Sequence, residues 1–466
     1  MPEARPLARR MTAVVATVAL AAALVGCSSG NSTPSAATAA TAAPAGNTAA
    51  PAGSTEAPAA TAAPAEPTAA SSEPFTIRVA FGSTGEAVDG IFTELKTAYE
   101  AKYPGRTVEI VVQEDDVYET IGLNNLLTSR NAPDVYFEWP GARLATKVTD
   151  GYGADLSAAV ADPRFTSRLD PAAYAGMVID GKTFMVPWTG DVTNVFWYNK
   201  AIFSEHSWTP PTTWDEFMAL CAASKAAGIT PIIDGNKDLW PIGSIASHLA
   251  ERTMGNDAYR AAVLGDQPMN SPEMVAAFGK LQELAQNGYI NESVNALPDD
   301  QATAQFLAGK SAMIGIGSWL VSDQVTQAPT LQLGFFNMPT FPGAGDPKSV
   351  LGVSTGFAVN AHSPHIDAAI DFLAMVVAPE ASKRFAEEGL TPMTIDPFAG
   401  VQADPNTVAL ATLLSTAPVK VTPGDNLDVQ RAAEFYGAAA AVIGGLKTPQ
   451  QALDEAQKRV EQLPKN

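Results

Sequence analysis

The stretch from Met177 to Phe217 constrains the fold of this chain more than any other. Asp180-Gly181 stands between Met177-Val178-Ile179 and Thr183-Phe184-Met185-Val186. Turn residues between apolar runs predict a tight hairpin, because glycine reaches the positive φ that such a turn needs. The second arm is expected to continue as a strand to Pro187, and Thr189 to Asn194 then reads as a polar loop. Val195-Phe196-Trp197-Tyr198 is β-branched and aromatic, which predicts a further strand ended by Asn199-Lys200. Pro210-Pro211-Thr212 cannot continue regular structure. Thr213, with Glu216 three residues on, spells a capping box in which two otherwise orphan amides find acceptors, so a helix opens there. Strand, polar loop, strand and capped helix in that order predict an α/β crossover past a ligand cleft.

The N-terminal end follows different rules. Arg5, Arg9 and Arg10 precede an apolar run from Met11 to Leu24 that is short for a bilayer span and fits a signal-peptide core. Arg9-Arg10 leaves general secretion and twin-arginine export both open. The run ends in Leu24-Val25-Gly26-Cys27, which resembles the bacterial lipobox, whose cysteine becomes the lipid-modified first residue of the mature protein. Residues 28–74 are dominated by Ala, Thr, Pro, Ser and Gly and are expected to form a disordered tether. Its mean reach is roughly 35–40 Å.

At 466 residues and 46% apolar, the remainder can bury more than one core, so two or more lobes are expected. The chain carries a net charge of −20. A polyanion is repelled by nucleic acid and by an anionic membrane face, and neither is expected as the main partner. Of the two cysteines, Cys27 belongs to the lipobox and Cys221 is left without a partner. Trp214, Phe217 and Cys221 share one helical face, which makes Cys221 a core residue rather than a nucleophile.

Phe75 to Phe81, a helix carrying Ile91, Phe92, Leu95 and Tyr99, and Thr107 to Val112 form a βαβ unit and predict a parallel sheet. Val135-Tyr136-Phe137 is a further strand, ending in Glu138-Trp139. In open α/β sheets ligands sit beyond the carboxyl ends of strands, so Glu86, Glu138 and Trp139 become candidate contacts; a solvated loop would explain the two acids equally well. Beyond the crossover, a strand over 229–233 leads through Asp234-Gly235-Asn236 to Trp240-Pro241 at a helix start. Gly315 and Gly317 permit close backbone approach just before Trp319, and Phe435 and Tyr436 sit on a tail helix.

Gly352-Val353-Ser354-Thr355-Gly356 matches the G-x-S-x-G nucleophile elbow, but the segment continues as strand-like Phe357-Ala358-Val359. His362 and His365 also follow too closely for the usual triad order. A hydrolase using Ser354, or a glycosidase using Glu86 with Glu138, is the alternative class. The four histidines form no metal-ligand spacing and no phosphate-binding loop is present, so neither metal nor cofactor is expected. What remains is an excess of aromatic surface. Trp139, Trp188, Trp240 and Trp319 lie at strand ends or loop–helix junctions beside Asp, Glu, Asn or Gly. A sugar presents an apolar face of C–H groups and a rim of hydroxyls, and its binder needs flat aromatics for the one and carboxylates or amides for the other. Core packing could absorb one or two of these tryptophans.

From Phe75 to Leu463 the chain resembles the extracellular solute-binding proteins that deliver carbohydrates to bacterial ABC importers, the group that includes maltose-binding protein. The resemblance rests on Ala132-Pro133-Asp134-Val135, Gly181-Lys182 to Val186-Pro187, Trp197-Tyr198-Asn199-Lys200, Pro211 to Phe217, and Gly309-Lys310-Ser311-Ala312-Met313 to Ser318-Trp319, in that order behind a lipobox and a tether. It implies an α/β, two-lobed periplasmic-binding-protein-like fold of type II. Lobe 1 would comprise 75–187 plus 349–395 and lobe 2 188–348 plus 396–466, with chain crossings near 187–193, 340–349 and 391–398. It also implies a non-catalytic, monomeric receptor, anchored at Cys27 on the outer face of the membrane, that passes a sugar or oligosaccharide to permease subunits. Trp319 matches a family tryptophan that contacts sugar, and Trp240 falls where the family often has a ligand aromatic. Glu138-Trp139-Pro140-Gly141-Ala142-Arg143 departs from the hydroxyl-gripping acid–base pair of maltose-binding protein, which leaves the sugar unnamed; a non-sugar solute is the alternative within this fold. The expected ligand contacts are Glu86, Glu138, Trp139, Trp188, Asp191, Asn236, Trp240, Trp319, Ser354 and Tyr436.

Overall fold

A computed structural model describes residues 73–464; Cys27, the signal segment and almost all of the tether lie outside them. The chain opens with β1 (Phe75–Gly82), the helix Glu86–Lys102 and β2 (Arg106–Gln113), and β1 pairs in parallel with both β2 and β3 (Val135–Glu138). Ile77, Val79 and Phe81, alternate residues of β1, are buried with Ile91, Phe92, Leu95 and Tyr99 of that helix. Burying one apolar face of a helix on a sheet stabilises each by removing about 25 cal/mol per Å² of apolar surface from water.

The crossover begins with the hairpin β4 (Val178–Ile179) and β5 (Lys182–Thr183). Asp180 and Gly181 have φ of 49° and 76°, so both central residues are left-handed, as a type I′ turn requires. The following strand does not stop at Pro187. β6 runs from Met185 to Val192, antiparallel to β11 (Val350–Val359), so Thr189 to Val192 are strand rather than polar loop. Pro187 is tolerated there because it stands at a bulge, where the register with β11 shifts between Thr355 and Gly356. At Gly356 the two backbones approach so closely that a Cβ would stand 2.2 Å from the Val186 carbonyl oxygen.

A second sheet is built from β7 (Val195–Asn199), β8 (Thr230–Ile233), β9 (Ser311–Ile316) and β10 (Leu333–Phe336), in the order β10-β7-β9-β8. Between β7 and β8 lies the helix Trp214–Ala226, and both halves of its capping box are made: the Thr213 hydroxyl takes the Glu216 amide, and the Glu216 carboxylate takes the Thr213 amide. The helices Trp240–Met254, Pro272–Asn287, Val429–Ile443 and Pro449–Val460 pack with Trp214–Ala226 into one apolar cluster, where Cys221 is buried. The first sheet has its own cluster, from Ile77 to Leu390. β6 contributes Met185, Val186 and Trp188 to the first sheet's core and Val192 to the cluster beneath the second sheet; β11 contributes Phe357, Ala358 and Val359 to the first core, Val350 to the cluster beneath the second sheet and Leu351 to that of the helices. Two lobes are thus joined by an antiparallel pair of strands. β12 (Lys420–Val421) extends the sheet beside the start of β11. Among the described residues no helix is long and apolar enough to cross a membrane.

Candidate functional site

A cavity of about 340 Å³ lies between the lobes. The first lobe supplies the loop Ser83-Thr84-Gly85 after β1, the turn of helix after β2 and the residues after β3, so its wall is the carboxyl edge of the parallel sheet. The second supplies the starts of the helices Trp240–Met254, Asp299–Leu307 and Leu320–Gln327. Thr189, Asp191, Val353 and Thr355 from the crossing strands form the floor.

All four tryptophans singled out above line this one space. Trp240 and Trp319 stand with ring centres 5.6 Å apart, and Gly317 makes room, since a Cβ there would lie 2.1 Å from the Trp319 ring. Trp139 is covered by the Arg143 guanidinium at 4.2 Å. Trp188 is only 5% exposed and belongs equally to the first core, against Phe92, Phe137, Phe357 and Phe385; its indole N–H has no acceptor among the described residues.

Asp191 accepts from the hydroxyls of Ser318 (3.3 Å), Thr355 (3.2 Å) and Thr189 (3.4 Å). Burial pushes its pKa up to about 6, against the pull of those three bonds. The other candidate contacts fall elsewhere. Glu86 is the exposed first residue of its helix, and the cavity is met by the loop just before it. Glu138 is 1% exposed and turned inward, where it takes the Trp139 amide at 2.8 Å and faces Arg143 at 3.7 Å. Glu138 therefore positions the guanidinium that covers Trp139. Asn236 is buried and caps the helix Trp240–Met254 by accepting the Ile242 amide. Tyr436 is buried beneath the site, its hydroxyl donating to Asp425, which does line the cavity.

Ser354 sits in mid-strand opposite Gly190, and its neighbours Val353 and Thr355 reach the cavity while it does not, because successive strand residues point to opposite faces. The strand–sharp turn–helix of a nucleophile elbow is replaced by one continuous strand to Val359. His362 and His365 pack on Tyr152 and Phe75.

What the residue pattern left unread is the acidic run Glu114-Asp115-Asp116-Val117-Tyr118-Glu119, all four acids of which line the cavity. The same strand-end argument that singled out Glu86 and Glu138 applied to it, since it directly follows β2. A π-turn over Tyr118–Gly122 interrupts this helix, a distortion common at functional sites. Glu119 pairs with Arg143, which also holds Asp425 at 3.2 Å. Asp116 accepts from the Trp240 indole N–H at 3.2 Å, and burial pushes its pKa up to about 7. Asp299 and Asp323 answer from the second lobe.

A cleft between two α/β lobes, walled by strand ends and floored by crossing strands, has the shape to hold a small solute. The chain is 27% identical over 249 residues to an uncharacterized ABC transporter extracellular-binding protein of Pyrococcus horikoshii, covering 53% of this chain and 57% of that one. It is 29% identical over 195 residues to a probable sugar-binding periplasmic protein of Rhizobium meliloti, covering 41% and 46%. The chain thus spans about half the length of these curated relatives in each match. Among solved structures, a chitin oligosaccharide binding protein superimposes with a TM-score of 0.76 at 23% identity, covering 83% of this chain and 98% of the other, and shares the two-lobed fold. The family model of the bacterial extracellular solute-binding protein matches residues 82–383, the span from the end of β1 past β11 that carries most of the cleft-lining residues, and the chain belongs to that family.

Proposed function

We propose that this protein is the extracytoplasmic receptor of an ABC importer, that it binds a sugar or oligosaccharide between its lobes, and that it delivers this ligand to the permease. The observation that carries the reading is the convergence of Trp139, Trp188, Trp240 and Trp319 on one cavity that also holds Asp191 with Thr189 and Thr355. Flat aromatic faces meet the C–H faces of a pyranose, and carboxylates and hydroxyls meet its rim. The sugar-binding relative and the chitin oligosaccharide binding neighbour support the same ligand class.

In this reading β6 and β11 are the hinge, absorbing the rotation by which the lobes close. The lobes correspond to 75–187 with 349–395 and to 188–348 with 396–466, the strand residues Trp188 to Val192 being shared. The protein acts without catalysis, as a monomer, and Cys27 holds it to the outer face of the membrane through a lipid. Titration of the mature protein with a panel of mono- and oligosaccharides, followed by tryptophan fluorescence, tests the reading. A saturable change with at least one saccharide is expected; saturation only by peptides or polyamines would overturn it.

A further inference from the structure

The cleft is acidic to a degree that a neutral sugar does not explain. Nine carboxylates line it, and among its lining residues there is no lysine, arginine or histidine. Asp115 and Asp116 stand on the first lobe, Asp299 and Asp323 on the second. The single guanidinium close by, that of Arg143, is already shared by Glu119, Glu138 and Asp425. It reaches Asp425 of the second lobe but pairs with neither Asp299 nor Asp323.

Those acids are poorly satisfied. Asp323 accepts from Gln327 at 3.2 Å and Asp116 from the Trp240 indole, but Oδ1 of Asp299 is buried without a partner. Burial first, and then the charges of Asp116, Asp234, Asp323 and Asp115, push the Asp299 carboxyl well above its ordinary range, so the opposing groups feel one another across the gap. Closing a cleft over like charges and a neutral ligand strips water from carboxylates and returns no countercharge. A sugar hydroxyl brings no charge to offset the burial and mutual repulsion that hold Asp299 toward its protonated form. An ammonium group has three donors and no acceptor, and its charge-assisted bonds to carboxylates are roughly twice as strong as neutral ones.

A second observation is independent of the acids. Trp188 lines the same cavity, is nine-tenths buried, and keeps an indole N–H without an acceptor. That donor can be met by a ligand oxygen, as the acids can by a ligand cation. A bare metal ion does not fit, because no three of the described His, Cys, Asp or Glu side chains converge in a metal-holding arrangement.

We propose that the ligand is an amino-substituted saccharide, its ammonium received between Asp116 of the first lobe and Asp299 and Asp323 of the second while its ring faces rest on the tryptophans. This rests on the saccharide reading above and narrows it. The tryptophans gain too, since a cation over an indole face is attracted by its quadrupole.

Calorimetric titration of the full mature chain decides the matter, using glucosamine, galactosamine and the glucosamine disaccharide against glucose, cellobiose and the N-acetylated disaccharide, with spermidine as a cation that is not a sugar. At least one aminated sugar should bind ~10-fold or more tighter than its neutral counterpart. Asp299→Asn and Asp323→Asn should each narrow that preference, and added salt should narrow it in the wild type. Equal or tighter binding of the neutral sugars would overturn the proposal and leave the saccharide reading standing. Binding of spermidine with no saccharide bound would overturn both. A failure of every aminated sugar to bind overturns the proposal.

Discussion

The indole N–H of Trp240, at the start of a second-lobe helix, donates to Oδ1 of Asp116 on the first lobe across 3.2 Å. This bond crosses the cleft above the cavity floor and ties an aromatic wall to an acidic one. Trp240→Phe keeps the ring and removes the donor. Hydrogen bonds to charged groups contribute about 1.5–3 kcal/mol, and the half-buried setting favours the lower end. Ligand affinity by calorimetry should fall about tenfold, while an unchanged affinity would mean that the contact does not help to hold the closed form.

Two tryptophans of the same cavity should respond differently to truncation. Trp188→Ala removes a ring packed within 6 Å of Phe92, Phe137, Phe357 and Phe385 and should cost about 3–5 kcal/mol of stability, read by denaturant unfolding. Trp319→Ala opens onto the cavity. Its loss should appear chiefly in affinity, at about 10- to 100-fold, with a smaller change in stability.

Arg143 is set among Glu119, Glu138 and Asp425. Arg143→Ala leaves those buried acids without it, and breaking such a group from one side costs about 3–5 kcal/mol. Arg143→Lys keeps the charge but loses the fork that reaches three carboxylates, so it should fall between wild type and alanine in urea unfolding.

Burial raises Asp116 to about 7, and Asp191 and Asp323 to about 6. Unfolded, each would titrate near its ordinary ~3.9. Between about pH 4.5 and 7 the folded protein therefore binds more protons than the unfolded chain, and its stability falls as pH rises through those values. Glu216, drawn down to about 2 by the amide and hydroxyl of Thr212 and then the Thr213 amide, has the opposite sign but is ionised in both states across most of this window. The ligand-free protein should melt at least about 2 °C higher at pH 5 than at pH 7.5, with a smaller difference in Asp191→Asn. A melting temperature that rises over the same interval contradicts this.

The features legible in the residues were those whose cause is local. The positive φ at Asp180 and Gly181 and the reciprocal bonds of Thr213 and Glu216 involve residues within three positions of one another. So do the strand preferences of Val195 to Tyr198. The resemblance added the lobes, while the four tryptophans that meet in the cavity stood out by their places at strand ends and loop–helix junctions. The acids were harder, because a carboxylate at a strand end can point either way. Glu138 turns inward to Arg143, whereas Asp115 and Asp116 reach the cavity; Asp299 and Asp323 meet them from about two hundred residues away. Thr189 to Val192 read as loop because their polarity suits one, and only their register with β11, more than 150 residues on, makes them a strand.

The central claim is that a saccharide binds in the tryptophan-lined cavity. Paired calorimetric titrations of the wild type and Trp319→Ala with the saccharides that change the wild-type fluorescence test it most directly. The account predicts saturable binding of one ligand per chain, weakened about 10- to 100-fold in the variant. Saccharide binding with the same affinity in both proteins, or none in either, would contradict it.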